Sequence, residues 1–196
     1  MKRYKVSYLL LITLTAFVLV SITACSQPPE EEMAAAREAV EQAGANEDVR
    51  EYALESLEQA RQLLSEMESA SENEDYDSAR SLAGEARDAA EEAVQNASSA
   101  KATAQNRAKS AVADAITALE EARTALDDAR DVPGIRFDFQ ATRRDLDASA
   151  SEITAAESDL QDERFSEAST TAENARASIS DVVRRISNAV RAASAK

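Results

Sequence analysis

The fold is decided by the stretch ARSLAGEARDAAEEAVQNASSAKATAQNRAKSAVADAITALEEARTALDDA, residues 79–129. Alanine recurs along it at alternating steps of four and three residues, except for two consecutive steps of four around Ala104. Such an alternation keeps the alanines on one side of an α-helix, as in a heptad seam, and the extra step of four is a stutter. No proline interrupts the stretch, and its one glycine, Gly84, lies near the start. The pattern predicts one continuous helix over about residues 75–130.

The remaining segments also favour helices, because they are rich in alanine, glutamate, arginine and leucine and poor in β-branched and aromatic residues. We expect a first helix that ends at Gly44 as its C-cap, a second over 48–70, a fourth over 137–160 and a fifth over 164–193. Apolar residues in the second and fifth helices repeat at steps of three and four, at Ala53, Leu57, Ala60, Leu64 and Met67 and at Phe165, Ala168, Ala172, Ala175, Ile179, Val182, Ile186 and Val190. The sequence therefore predicts an all-α fold, an elongated antiparallel helical bundle with coiled-coil packing.

An internal repeat appears when the sequence is shifted by 89 residues. The shift needs no gaps and pairs Leu57 with Leu146, Leu64 with Ile153 and Tyr76 with Phe165. Each copy consists of a helix, a turn, an aromatic residue and then alanines in the pattern x-x-A-x-x-x-A-x-x-A. We expect Tyr76 and Phe165 to fill the ends of their bundles.

The repeat predicts two helical units that share the long helix. We place helical unit 1 at residues 33–100 and helical unit 2 at residues 122–196. Residues 101–121 are expected to be a connector within the shared helix.

The first 24 residues differ in composition from the rest of the chain. Basic residues in MKRYK precede an apolar run over about residues 8–20, which is too short for a membrane span and fits a secretory segment. The run ends in Ile22-Thr23-Ala24-Cys25, which contains the only cysteine of the chain. This motif resembles the bacterial lipobox, and the resemblance implies cleavage before Cys25 and lipidation of its thiol. Residues 25–32 are then a short tether to the helices.

A lipidated Cys25 implies a protein anchored in the cell envelope. In lipoproteins of bacteria with two membranes, an aspartate after the cysteine commonly retains the protein at the inner membrane. Ser26 occupies that position here, so the resemblance favours the outer membrane.

Composition excludes several classes of function. Without residues 1–24 the chain keeps 19 basic and 37 acidic side chains, a formal charge of −18, and such a surface repels nucleic acids. The chain has no histidine and no second cysteine, so Ser-His-Asp and Cys-His catalysis are excluded. Asn73, Asp75 and Asp77 match the first spacings of a calcium-binding EF-hand loop, but Ser78 and Gly84 stand where its glycine and bidentate glutamate belong. We expect a polar turn there, and no catalytic residue, metal site or cofactor elsewhere.

A lipobox, an alanine-rich helix and the stretch EDYDSARSLAGEARDAAEEA, residues 74–93, together resemble an alanine-rich helical domain of unknown function in bacterial envelope lipoproteins. The resemblance is best over residues 33–95, and the second copy is more divergent. It implies a helical fold and an envelope location, and it assigns no activity.

Three functions fit these observations. The first is a non-catalytic structural or adaptor lipoprotein that binds other envelope proteins. The second is a peptidoglycan tether, because the chain ends in Lys196 and murein lipoproteins, which are similar in being lipidated and heptad-rich, are cross-linked through a terminal lysine. The third is a module that binds a peptide or ligand between its helices. The alanine heptads also allow self-association.

Overall fold

The structure is a computed structural model that describes residues 27–195 of the chain. Within this range the backbone forms helices and no strands, so the prediction of an all-α fold is confirmed. The helices are α1 (Glu30–Ala45), α2 (Glu47–Tyr52), α3 (Leu54–Glu72), α4 (Tyr76–Arg130), α5 (Phe139–Gln161) and α6 (Phe165–Ser194). None of these described helices combines the length and the apolar character that a membrane span requires.

The chain divides into two compact units, and α4 contributes to both of them. Unit 1 extends to Ser98 and contains α1, α2, α3 and the first part of α4. Unit 2 begins at Ser99 and contains the rest of α4 together with α5 and α6. The sequence-based expectation of two units that share one long helix is therefore confirmed. Residues 101–121, predicted as a connector, lie in α4, and several of them are in the core of unit 2.

In unit 1 the helices α1 and α3 run antiparallel. Arg37 of α1 pairs with Glu68 near the end of α3, whereas Gly44 lies against Leu57 and Arg61 near its start. The core between these helices and α4 is built mostly from small side chains. Its buried residues are Met33, Ala36, Val40, Ala43, Val49, Ala53, Leu57, Ala60, Met67, Ala83, Ala86, Ala90, Ala93 and Ala97.

In unit 2 the second part of α4 packs with the antiparallel pair α5 and α6. Arg123 of α4 pairs with Asp147 of α5, and Arg185 of α6 pairs with Asp145 of α5. The core of this unit contains more large aliphatic side chains than that of unit 1. Its buried residues are Val112, Ala115, Leu119, Ala122, Leu126, Ala129, Leu146, Ile153, Ala156, Ala172, Ala175, Ile179, Val182 and Ile186.

The seam of α4 follows the predicted pattern in its first part and shifts in its second. The buried positions step by four and three up to Ala97 and resume at Ala108, eleven residues later, where the sequence placed the stutter. Beyond Ala108 the buried residues of α4 also include Val112, Leu119 and Leu126. The alanines expected there, at positions 111, 118 and 125, are only partly buried beside it. Larger aliphatic side chains one residue further along the helix bury more surface and so occupy the centre of the seam.

Gly44 does not end the first helix as predicted. Helix α1 continues through it to Ala45, and the backbone N–H of Asn46 donates to the carbonyl of Ala43. Only Gly134 among the described glycines has a positive φ, so Gly44 is not a left-handed C-cap. Its missing side chain leaves room instead for Arg61, whose guanidinium lies 3.3 Å from the place of a Cβ.

The helix predicted over residues 48–70 is two helices. The backbone leaves the helical conformation at Ala53, with φ −141° and ψ 35°, between α2 and α3. Ala53 is buried at 7% exposure, and no glycine or proline lies near it. Because alanine favours helix, tertiary packing overrides local propensity here. Helix α1 starts at Glu30, directly after the two prolines, so its first turn carries Glu30, Glu31 and Glu32.

The two helical hairpins turn in the same way, 89 residues apart. Glu74 and Glu163 both have φ 60°, in the left-handed region. In the first turn the N–H of Asp75 donates to the carbonyl of Ala70 and the N–H of Glu74 to that of Ser71, as in a Schellman motif. The equivalent residues of the second turn make the same two hydrogen bonds. The next helix begins with an aromatic residue in both cases: Phe165 is fully buried, as predicted, whereas Tyr76 is only half-buried.

We predict that leucine at Ala86 or Ala175 destabilises the protein by about 1–3 kcal/mol, because both alanines are fully buried between closely packed helices. Thermal and urea unfolding of each variant would measure the change. Ala177→Leu, at an exposed position of α6, is the matched control and should leave stability nearly unchanged. An unchanged melting temperature in both buried variants would show that the helices are not closely packed.

We also predict that Glu74→Gly stabilises unit 1 by roughly 0.5–1 kcal/mol, because glycine adopts a φ of 60° without the steric cost that a Cβ imposes. Glu72→Gly, at the last residue of α3, should destabilise by up to about 1 kcal/mol, because that residue is helical. The urea midpoint should therefore rise in Glu74→Gly and fall in Glu72→Gly. Midpoints that both rise or both fall would show that the φ of residue 74 does not limit stability.

Candidate functional site

Two residues singled out by the sequence lie outside the described part of the chain. Cys25, the predicted lipidation site, precedes residue 27, and Lys196, the alternative wall-attachment site, follows residue 195. Their roles stay predictions.

The EF-hand-like stretch forms the turn between α3 and α4. The side-chain amide of Asn73 donates to the carbonyl of Ser69 at 2.8 Å, and the Asp75 carboxylate accepts the N–H of Ser78 at 3.2 Å. Hydrogen bonds from Ser78, through its side chain and its backbone, lower the pKa of Asp75. These side chains cap helix ends, as expected. Within residues 27–195 no three or more acidic, histidine or cysteine side chains are placed to hold a metal ion.

Shallow grooves run between neighbouring helices of each unit. In unit 2 a groove of about 440 Å³ lies between α5 and α6, with Ser149 and Val182 among the residues that line it. In unit 1 a groove of about 570 Å³ lies between α1 and α3, where Val40 and Leu64 contribute apolar surface. Both are bordered by acidic and basic side chains of the helices themselves.

A third groove, of about 380 Å³, lies between α1 and α4 in unit 1, and we call it the Gly84 groove. It is lined by Glu31, Glu32, Ala35, Arg80, Ala83, Gly84 and Arg87. A Cβ built on Gly84 would have no atom within 4 Å, so nothing in the described structure occupies the space above this glycine. The groove combines small residues at its centre with charged residues at its borders.

The two arginines of the Gly84 groove are already engaged by carboxylates. Arg80 is 3.1 Å from Glu32 and 3.9 Å from Asp77. Arg87 lies 3.2 Å from Asp88 and 3.9 Å from Glu91. A backbone hydrogen bond, and then the hydrogen bond from Arg80, lower the pKa of Glu32.

Glu31, by contrast, makes no ion pair or hydrogen bond with another side chain within residues 27–195. Its carboxylate is exposed on the border of the groove. The two carboxylates that α1 contributes to the groove therefore differ, since Glu32 is bonded to Arg80.

In unit 2 the corresponding position of the repeat carries a charged side chain. Glu173 stands 89 residues after Gly84, and its carboxylate lies 2.9 Å from the guanidinium of Arg107 on α4. The hydroxyl of Ser169 donates to the same carboxylate at 3.2 Å. Hydrogen bonds from Arg107 and then from Ser169 lower the pKa of Glu173.

The two units also differ sharply in charge. Residues 27–98 carry 20 acidic and five basic side chains, whereas residues 99–196 carry 17 and 14. The formal charge is therefore −15 for the first range and −3 for the second. The acidic character that the sequence shows as a whole belongs almost entirely to unit 1.

Sequence reasoning missed the Gly84 groove. The available signal was a glycine in the interior of an alanine-rich helix, at the position where the second copy of the repeat has a glutamate. Glycine is unfavourable in a helix interior, so a glycine at such a place suggests that the missing side chain has a packing or functional reason. The charge difference between the two copies was equally readable from the sequence.

Residues 31–115 match the model of a domain of unknown function, DUF4398. The match covers α1, α2, α3 and α4 as far as Ala115, and so includes the Gly84 groove. It agrees with the sequence-based expectation of a domain of unknown function over residues 33–95. No curated protein and no solved structure matches the chain significantly.

We predict that acid destabilises the fold through Glu32, Asp75 and Glu173. Hydrogen bonding lowers the folded-state pKa of each, so the stability that they contribute is fully present above the unfolded-state pKa of about 4. That contribution disappears as the pH falls through the lowered folded-state pKa. Urea midpoints between pH 6 and 2.5 should therefore fall with decreasing pH.

The Arg107→Gln variant removes the main cause of the low pKa of Glu173, so its urea midpoint should depend less on pH than that of the native chain. Arg191→Gln is the matched control, because Arg191 has no ion-pair partner within residues 27–195. Parallel profiles for the native chain and Arg107→Gln would contradict the prediction.

Proposed function

We propose that the protein is a lipid-anchored lipoprotein of the bacterial cell envelope with a non-catalytic structural or adaptor role. The observation that carries the proposal is the motif Ile22-Thr23-Ala24-Cys25, which follows a basic start and a short apolar run. The chain has one cysteine, and it stands at the position where a lipobox requires it.

The proposed anchor acts through the thiol of Cys25. A thioether-linked lipid on this thiol, together with further acyl chains, binds a membrane stably, whereas a single acyl chain binds only marginally. Helix α1 starts at Glu30, five residues further on, and five extended residues span at most about 18 Å. The first helix of unit 1 would thus begin close to the membrane surface.

The adaptor role is supported by the chemistry of the side chains. The full sequence has no histidine and no thiol besides Cys25, so the common nucleophile–base pairs of hydrolases are missing. The described helices instead present long polar faces, and grooves of about 380–570 Å³ lie between them. Faces and grooves of this kind suit contacts with other proteins of the envelope, which we propose as the partners.

The proposal is tested by the full-length Cys25→Ser variant, expressed in a bacterium that processes lipoproteins. The native protein should incorporate a clickable fatty acid, enter the detergent phase of Triton X-114 and lose the mass of residues 1–24. The Cys25→Ser variant should do none of these. Ser26→Ala, which changes the neighbouring residue, is the matched control and should behave as the native protein.

Two outcomes would contradict the proposal. The first is a native chain that is cut but carries no lipid, which would indicate an ordinary signal peptide. The second is a Cys25→Ser variant that still labels with fatty acid, which would place the modification elsewhere. Mass spectrometry of the N-terminal peptide distinguishes the two results.

A further inference from the structure

One end of unit 2 collects arginines in an otherwise acidic chain. Helix α4 ends there at Arg130, the loop over residues 131–138 leads into α5, and α6 ends beside the start of α5 because the two helices are antiparallel. Residues 130–144 and 182–195 together contain seven arginines and two acidic side chains. We call this part of unit 2 the arginine end.

Several arginines of this end have no carboxylate to pair with. The carboxylates that flank the two stretches are engaged in the pairs Asp127–Arg130, Asp145–Arg185 and Asp181–Arg184. Arg136, Arg144 and Arg191 are exposed and make no ion pair within residues 27–195. Their charges are therefore available to carboxylates of another molecule.

The stability of the helices does not explain Arg144. The N-terminal end of a helix favours negative charge, and the first turn of every other described helix carries an acidic residue. Helix α5 has none in its first turn and carries Arg143 and Arg144 in the second. The 89-residue repeat places Glu55 at the position of Arg144, so this helix pair folds without a basic side chain there.

Apolar side chains lie among these arginines. Ile135, Phe137 and Phe139 pack with one side on the core of unit 2 and remain partly exposed on the other. The rings of Phe137 and Phe139 meet edge to face with centroids 5.3 Å apart, and the guanidinium of Arg130 lies 5.7 Å from the centroid of Phe139. Aromatic residues and arginine are the side chains that protein interfaces favour.

Unit 1 carries the complementary surface, which we call the acidic corner. Glu47 and Glu51 of α2 and Glu55 of α3 are exposed and make no ion pair within residues 27–195. Leu54, between the last two, is 53% exposed, more than the other large hydrophobic side chains of the described residues. The acidic corner thus combines free carboxylates with apolar surface, as the arginine end combines free guanidiniums with apolar surface.

We propose that the arginine end of unit 2 binds the acidic corner of unit 1 of a second copy of this chain. The guanidiniums of Arg136, Arg144 and Arg191 would pair with the carboxylates of the corner, and the apolar side chains of the loop would cover Leu54. Because the two surfaces differ and each copy carries both, the contact is head to tail. The inference does not depend on the lipid anchor.

The net charge of the chain does not prevent this contact. Residues 25–196 have a formal charge of −18, so two copies repel each other at long range. At physiological ionic strength, charges more than about 8 Å apart are largely screened. The charges that touch in the interface therefore decide, and these have opposite sign.

The first test is sedimentation velocity of residues 25–196 carrying Cys25→Ser, at concentrations up to millimolar. The mean mass should rise with concentration and return toward that of a monomer in about 1 M salt, where the screening length is about 3 Å. Arg136→Gln with Arg144→Gln should weaken association at least about tenfold. Lys109→Gln with Arg176→Gln, which removes two exposed cations of unit 2 away from this end, is the matched control and should associate as the native chain.

Mixing two defective variants tests the head-to-tail arrangement. Glu51→Gln with Glu55→Gln removes carboxylates of the acidic corner and should weaken association as much as the arginine variant does. A mixture of these two variants should form dimers with one copy of each, because each retains the surface that the other has lost. Circular dichroism and urea midpoints of both variants check that they remain folded.

Three results would overturn the proposal. The first is a native chain that stays monomeric up to millimolar concentration, including one that instead binds phosphatidylglycerol vesicles through the same arginines. The second is association that salt and the arginine variant leave unchanged, as expected of contacts between alanine seams. The third is a mixture of the two folded variants that forms no dimer. Each leaves the proposed lipidation of Cys25 untouched, since the tested chain carries no lipid.

Discussion

The close approach of helices across alanine is the constraint on which the structure depends. More than half of the buried apolar residues within residues 27–195 are alanines, from Ala36 in α1 to Ala175 in α6. A buried methyl group contributes only about 0.8 kcal/mol, so each turn of helix adds little burial and the helices must be long. Small side chains also leave little tolerance for larger ones at the seam. Unit 1 has fewer large aliphatic residues in its core than unit 2. Its large buried side chains, such as Met33, Leu57 and Met67, occupy only a few positions.

Most of this fold was readable from the sequence because alanine spacing, glycine, proline and polar turns are local signals. The long helix, the stutter near Ala104, the turns before Tyr76 and Phe165 and the 89-residue repeat all followed from them. The break at Ala53 did not, since alanine favours helix and tertiary packing alone decides that it is interrupted. Gly44 was misjudged because the left-handed C-cap requires a positive φ, which Gly44 does not have, and its missing side chain makes room for Arg61 instead.

The candidate site was predicted less well, and for a physical reason. Cys25 and Lys196 are chemical signals that can be read from a linear motif, and they stay predictions. The Gly84 groove depends instead on the packing of α1 beside α4, which places Glu31 and Ala35 next to Gly84. Sequence shows the glycine, but only the packing shows which helix faces it and that nothing fills the gap.

The continuity of α4 has a thermodynamic consequence. Starting a helix is costly, because several residues are ordered before the first hydrogen bond forms, whereas extending an existing helix is cheap. Once either unit has folded its own part of α4, the other can extend a helix that already exists. The units are therefore linked like neighbouring repeats of a solenoid, in which the order of one lowers the nucleation barrier of the next. Stabilisation of the part of α4 that lies in unit 1 would then slow the opening of backbone amides beyond Ser99.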